Sequence, residues 1–199
     1  MKKNMNVSGW LSFFWKKRKL RISPNDGLRY SVSQGVINKT EEILLQYGTL
    51  KNPNEGFVYW GGTQNGDDVF INTVVAPDTI STEGSVEVSK ESIFFYIKTL
   101  SDNNIVHIGQ VHSHPSSWVD HSSGDDEWAS FKNEGLVSIV VPEYGLNGML
   151  PLKTCGVHRY TFGMFRRLSN SYISKRFNLV DEEFKFFDLR NKNDERWKK

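Results

Sequence analysis

Two histidines one residue apart, His112 and His114, end the run Ile105-Val106-His107-Ile108-Gly109-Gln110-Val111 and directly precede Pro115. This short stretch constrains the fold more than any other part of the chain. Side chains two residues apart share a face only on extended backbone, because a strand alternates faces residue by residue. The β-branched run suits a strand. Pro115 has no amide donor and restricts the residue before it, so ladder pairing ends there. The Ser-rich segment from Ser116 to Gly124 reads as a loop entering a helix near Ser122, with Ser122 as its N-cap and Asp125 in its first turn. A strand, a loop and a helix in that order can return Asp125 to the two histidines. Two imidazole nitrogens and one carboxylate oxygen leave the fourth tetrahedral position open for water, the pattern of catalytic rather than structural zinc.

Each feature taken alone has an ordinary reading: a surface His pair, and Ser with Asp capping a helix. Five specified residues at fixed spacing are rarer than composition produces in a chain of 199 residues. The pattern His112-x-His114-Pro115-x6-Ser122-x2-Asp125 resembles the JAMM motif of the JAB/MPN/Mov34 metalloprotease family, whose active members are zinc isopeptidases that remove ubiquitin and ubiquitin-like proteins. That family also carries a glutamate on an earlier strand, before an apolar run that ends in glycine. Glu55-Gly56-Phe57-Val58-Tyr59-Trp60-Gly61-Gly62 is similar in place and pattern, with Phe57, Tyr59 and Trp60 where aliphatic residues are more usual.

The resemblance covers residues 28 to 166. It implies an α/β fold of one domain, an MPN/JAB-like mixed β-sheet flanked by helices of the cytidine-deaminase-like kind. It also implies one Zn2+ per chain held by His112, His114 and Asp125, with Glu55 as general acid/base and Ser122 stabilising the tetrahedral intermediate. The implied substrate is a ubiquitin-like protein cut after its C-terminus, in deconjugation or precursor processing, by a prokaryotic JAB-type enzyme that works beside conjugation enzymes.

The chemistry stands without the family. Zinc acidifies a bound water and polarises a carbonyl, while a neighbouring carboxylate takes the water's proton and returns it to the departing amine. Glu83, Glu87, Glu127, Glu134 and Glu143 compete with Glu55 for that task. Glu55 stands out because it opens an apolar run expected to be a central strand, where a carboxylate is costly without a role. The Ser122 hydroxyl can cap the helix and also donate to a developing oxyanion. Trp118 in the loop either contacts substrate or packs the loop onto the body. His121 and Asp120 are expected in solvent, and His107 and His158 as ordinary strand residues. Cys155 reads as a small buried residue. His158, three residues on, falls on the opposite strand face and forms no dyad with it.

Composition sets the remaining bounds. The chain can bury one full core. Its 25 basic and 23 acidic side chains leave a net charge of +2 spread along the sequence, which gives no case for nucleic acid. A single cysteine rules out an internal disulfide framework and suits a reducing cytoplasm. Trp10-Leu11-Ser12-Phe13-Phe14-Trp15 followed by Lys16-Lys17-Arg18-Lys19 is too short to span a membrane and lacks a signal-peptide cleavage site. It reads as an added edge strand or docking extension over residues 1–22, ahead of a domain over 23–190 and a polar tail over 191–199.

The expected elements are a strand over 28–32, and a helix over 33–47 with Val36, Ile37, Ile43, Leu44 and Leu45 as its stripe. A hairpin follows, with strands over 57–60 and 69–76 joined by a turn over 61–68. Residues 77–85 read as a loop, and 89–101 as a helix with Ile93, Phe94, Ile97 and Leu100 on one face. Beyond the motif come strands over 136–142 and 154–165, then a short helix and a last strand over 166–190, anchored by Phe184, Phe186 and Phe187. Loops 77–86 and 143–151 are candidate walls of a substrate groove. Two other classes of function fit the same residues: a non-catalytic MPN-type scaffold, and a small-molecule amidase using the same zinc site. A DNA-repair branch of the fold is disfavoured, because Ser113 and Ser117 depart from its motif.

Overall fold

The computed structural model describes residues 20–191 and 194. The order is β1 (Arg29–Ser33), α1 (Gln34–Gly48), β2 (Phe57–Asn65), β3 (Asp68–Ala76), β4 (Thr79–Thr82), β5 (Ser85–Val88), α2 (Lys90–Asp102), β6 (Val106–Ser113), α3 (Ser123–Trp128), β7 (Val137–Val141), β8 (Gly156–Thr161), β9 (Met164–Arg167), α4 (Asn170–Arg176), β10 (Phe177–Val180) and β11 (Lys185–Asp188). Among the described residues, nine strands form one mixed sheet in the order β10-β1-β3-β2-β6-β7-β8-β9, with β11 also on β3. The architecture is α/β with a single mixed sheet and helices against it.

The sheet is covered on both faces, and β2 shows how the sequence arranges this. Val58 and Trp60 join the cluster built with Val36, Ile37, Ile43 and Leu44 of α1. Phe57 and Tyr59 join Val88, Tyr96 and Leu100 on the α2 side. Alternation thus turns one apolar run into two half-cores, as expected for a central strand. The bulky residues of this run have matching partners. Trp60 Nε1 donates to Thr40 Oγ1 at 2.8 Å, and the Tyr59 ring stacks on Tyr96 with centroids 4.0 Å apart. β7 is buried at all five positions, flanked by parallel β6 and antiparallel β8.

Ser33 ends β1 and caps α1, its extended backbone placing the hydroxyl to accept from the Gly35 amide at 3.3 Å. Leu45 leaves the expected stripe and is 41% exposed, since one residue past Leu44 turns about 100° away from the core. On α2 the buried residues are Ser92, Tyr96 and Leu100, and Phe94 and Ile97 face outward. Of the expected face, Leu100 is buried and Ile93 packs against the same cluster, while Tyr96, aromatic with a polar tip, takes the place of Phe94 and Ile97 against the aromatic cluster on β2 and β6.

Four expected segments also change. The turn over 61–68 shrinks to Gly66 and Asp67, because Gly61 to Asn65 continue β2. A Cβ on Gly62 would stand 1.8 Å from the Phe70 carbonyl oxygen, so glycine there lets two strands approach at a bulge. Residues 77–85 are not loop. They form most of the β4–β5 hairpin, whose polar Thr and Ser residues hid its alternation. The run over 154–165 is broken into β8 and β9 by the turn at Phe162 and Gly163. Residues 166–190 hold two strands rather than one, β10 parallel to β1 and β11 parallel to β3. Phe186 and Phe187 pack against the two clusters, while Phe184 is 38% exposed.

Ile22 is held against the domain: its amide donates to Arg167 O and the Ser169 amide to Ile22 O, both at 2.8 Å. The segment Trp10 to Lys19 and nearly all of the tail lie outside the described residues. No helix among the described residues is long and apolar enough to cross a membrane.

Candidate metal centre

β6 carries His112 paired between Phe57 of β2 and Val140 of β7. Extended pairing runs one residue past the strand, where the His114 amide donates to Val141 O at 2.9 Å. Both imidazoles therefore face one way, as alternation requires. α3 begins at Ser122 with a reciprocal capping box. Asp125 N donates to Ser122 Oγ at 3.1 Å, and Ser122 N donates to Asp125 Oδ2 at 2.6 Å. The cap fixes the carboxylate rotamer and turns it onto the histidines.

The three side chains converge. His112 Nε2 and His114 Nε2 are 3.2 Å apart, His114 Nε2 is 3.2 Å from Asp125 Oδ2, and His112 Nε2 is 3.4 Å from Asp125 Oδ1. A tetrahedral ion with bonds of about 2.0–2.2 Å holds its ligand atoms about 3.3–3.6 Å apart. The set can hold a metal ion with little movement. The His114 tautomer agrees: Nδ1–H donates to the Trp118 carbonyl at 2.9 Å, leaving the Nε2 lone pair for a cation. Trp118 also stacks on the His114 ring, centroids 5.3 Å apart, and so buttresses this imidazole from behind. Burial pushes the Asp125 carboxyl up, but the facing imidazoles of His112 and His114 outweigh it and hold the group far below the usual carboxylate range.

Glu55 lies beside this set. The Gly56 amide donates to Ser113 Oγ at 2.9 Å and the Ser113 amide to Gly56 O at 3.1 Å, a clamp that joins the approach to β2 to the end of β6. Glu55 is 3% exposed. Burial pushes its carboxyl up to about 7, with the His114 charge opposing the rise and the Asp125 charge adding to it. A carboxyl that titrates near neutrality beside an ion site is suited to proton transfer. Of its competitors, Glu83, Glu87, Glu127 and Glu134 are exposed, and Glu143 is half-buried and bonded to Asn147.

The surrounding chain frames the centre. The Glu55 amide donates to Thr82 O at 2.8 Å, which ties it to β4. The turn Glu143–Gly145 sits across from it, with the Tyr144 amide donating to His114 O at 2.7 Å and the Tyr144 hydroxyl to Glu83 O at 2.9 Å. Glu143 and Tyr144 are both left-handed, with φ of 53°, a strained backbone for non-glycine residues held by these bonds. A narrow cavity of about 50 Å³ runs along the centre, lined by Gly84, Gln110, His112, Ser122, Asp125 and Trp128 among others. A larger one of about 550 Å³ opens near the start of β6 beside His107 and Phe131, and none of the expected site residues lines it.

Expected solvent exposure fails for His121 and Asp120. His121 is 2% exposed, with Nδ1 2.9 Å from Asp126 Oδ1 and Nε2 2.9 Å from Ser138 Oγ. Both nitrogens are engaged, so the ring is buried without being a ligand. Burial pulls its pKa down to about 3, and the ring is neutral. Asp120 is half-buried and paired with Arg167 at 2.8 Å. His158 lies against the His121 ring with centroids 4.2 Å apart, and His107 bonds the Tyr96 hydroxyl, both on strands as expected. The Cys155 thiol is buried and pushed up to about 12, far from a nucleophile's range. Sequence reading missed Gln110, Ser138 and His121 as a connected set beneath the ligands. The one available signal was that Gln110 precedes His112 by two residues and so shares its face.

No family model matches the chain, and no curated protein matches it. Among solved structures, the solution structure of a structural-genomics target protein from Desulfitobacterium hafniense is similar, with a TM-score of 0.55 and 19% identity, over 77% of this chain and 94% of that one. At that identity the likeness is one of fold.

Proposed function

We propose that the protein is a zinc-dependent isopeptidase or peptidase of the JAMM kind that cuts after the C-terminus of a ubiquitin-like protein, on a sheet of the MPN/JAB, cytidine-deaminase-like type. The observation that carries this reading is the buried Glu55 carboxyl, raised to about 7, beside a His112-His114-Asp125 set spaced for a tetrahedral ion. A bound zinc ion supplies a Lewis acid for the scissile carbonyl and an acidified water as nucleophile.

The chain's own residues supply the rest. Glu55 takes the attacking water's proton and delivers it to the departing amine, a role that needs a group titrating near the working pH. Ser122 lines the cavity, and its hydroxyl can donate to the developing oxyanion while its oxygen still caps α3. The β4–β5 hairpin is a separate two-stranded sheet, and Ser85, Val86 and Val88 line the cavity. An extended peptide can add as a strand on β5 and run toward the ligands.

The test is metal content together with cleavage of a ubiquitin-like C-terminal fusion, comparing the protein with Glu55→Ala. About one zinc per chain in both, with cleavage only by the unsubstituted protein, is the expected result. Absence of zinc, or zinc without cleavage, refutes the proposal.

A further inference from the structure

Beneath the ligands runs a chain of buried polar groups whose direction is set at one end. Asp126, as a carboxylate, only accepts hydrogen bonds. His121 therefore donates from Nδ1, 2.9 Å from Asp126 Oδ1, and in that tautomer presents Nε2 as an acceptor. Ser138, 2.9 Å from that Nε2, must donate its hydroxyl proton to it. The Ser138 oxygen is then left as acceptor for the Gln110 amide nitrogen at 3.3 Å. Gln110 and Ser138 are register partners on β6 and β7, so this contact is built into the sheet. Every step follows from the one before, and the carboxamide of Gln110 cannot turn over without leaving two acceptors or two donors facing each other.

The consequence falls on the other end of that carboxamide. Gln110 is 4% exposed, and its Oε1 has no hydrogen-bond partner among the described residues. A buried carbonyl oxygen without a donor is costly, and a polar chain of four residues that fixes it in that state needs a reason. Gln110 lines the cavity together with His112, Ser122 and Asp125, whereas Glu55 stands apart from its lining. If Glu55 serves the departing amine, the cavity side receives the acyl half of the substrate.

We propose that Gln110 Oε1 accepts a hydrogen bond from the backbone N–H of the residue that supplies the scissile carbonyl, and that Asp126, His121 and Ser138 are positioning residues that hold the oxygen in place. This rests on the peptidase reading and adds a recognition element to it. The group recognised is a secondary amide on the acyl side, in a residue slim enough for a slot bordered by Gly84 and Gly124.

The test uses the zinc-loaded full chain and two fluorogenic probes, succinyl-Leu-Gly-Gly-aminomethylcoumarin and its depsipeptide twin, in which oxygen replaces the N–H of the last glycine. The unsubstituted protein is expected to show a KM about tenfold lower for the amide, with kcat within about twofold, because the bond is present in ground and transition states alike. Gln110→Met abolishes the difference between the probes, and Ser138→Ala reduces it while zinc content stays unchanged. Nitrogen-15 NMR of the imidazoles, which needs no turnover, reads His121 as the Nδ1–H tautomer. Equal handling of both probes by the unsubstituted protein, or a preference that survives Gln110→Met, overturns the proposal and leaves the peptidase reading standing. An Nε2–H or doubly protonated His121 overturns the orientation argument. Cleavage of neither probe overturns the peptidase reading, and this proposal with it.

Discussion

Glu55→Gln separates the demands of folding from those of catalysis, because the carboxylate that chemistry needs is the one burial opposes. The folded carboxyl titrates at about 7 against an ordinary value of 4.5. Between those values the folded protein keeps a proton that the unfolded chain releases, so stability falls as pH rises through the window. In metal-free protein the penalty is about 1 kcal/mol at pH 5 and about 3 kcal/mol at pH 8, taking about 1.4 kcal/mol per pH unit. Glutamine has the same shape and no charge to bury. Urea unfolding in chelator should therefore show Glu55→Gln gaining about 2 kcal/mol over the parent between pH 5 and pH 8. With zinc restored, the same variant should lose about 10²- to 10⁴-fold in kcat/KM while its metal content is unchanged. A stability difference that does not vary with pH would refute the burial argument, and retained activity would refute the role.

Three further outcomes are expected. Asp125→Asn removes the negative ligand and the charge that opposes two imidazoles, so zinc content measured by mass spectrometry should fall from about one per chain to a small fraction at micromolar zinc. Ser122→Ala removes the N-cap of α3, which should lower thermal stability by about 1 kcal/mol and kcat by about 10- to 100-fold; a loss in stability alone would make Ser122 a cap and nothing more. His107 is pulled down to about 4 by burial. The unfolded chain therefore gains a proton there that the folded one refuses, and stability falls as pH drops from 6.5 toward 4 by roughly 1.4 kcal/mol per unit. His107→Phe should flatten the urea midpoint over that window relative to the parent, and an unchanged slope would show that the ring is not protected.

How much of this was legible from sequence follows how far apart the partners lie. The convergence of His112, His114 and Asp125 was readable because its geometry is local: His112 and His114 share a strand face by alternation, and Ser122 and Asp125 complete one capping box within four residues. The run from Phe57 to Trp60 declared itself by being apolar without interruption, and β7 nearly so with Ser138 as its one polar residue, as strands buried on both faces do. The β4–β5 hairpin did not, since Thr79, Ser81, Thr82 and Ser85 make the composition of a loop. The outward turn of Phe94 and Ile97 was equally hidden, because only the position of Tyr59 and His107 decides which face of α2 has aromatic partners.

His121 shows the limit most plainly. In sequence it is a histidine between Asp120 and Ser122 in a polar loop, and solvent is its ordinary surrounding. What buries it is Ser138 on a strand 17 residues later, with Asp126 satisfying the second nitrogen and Phe165 of a further strand covering the ring. None of those partners follows from local pattern. A candidate metal centre of this kind is thus written in two scripts. His112, His114 and Asp125 lie within fourteen residues and constrain one another through backbone geometry. Its support, from Ser113 on Gly56, Tyr144 on the hairpin and Gln110 on Ser138, comes from separate elements that meet only when the sheet forms. His121, buried with both nitrogens engaged, and Glu55, buried with its amide on the β4–β5 hairpin, belong to this second script, because each is fixed by residues far from it in sequence.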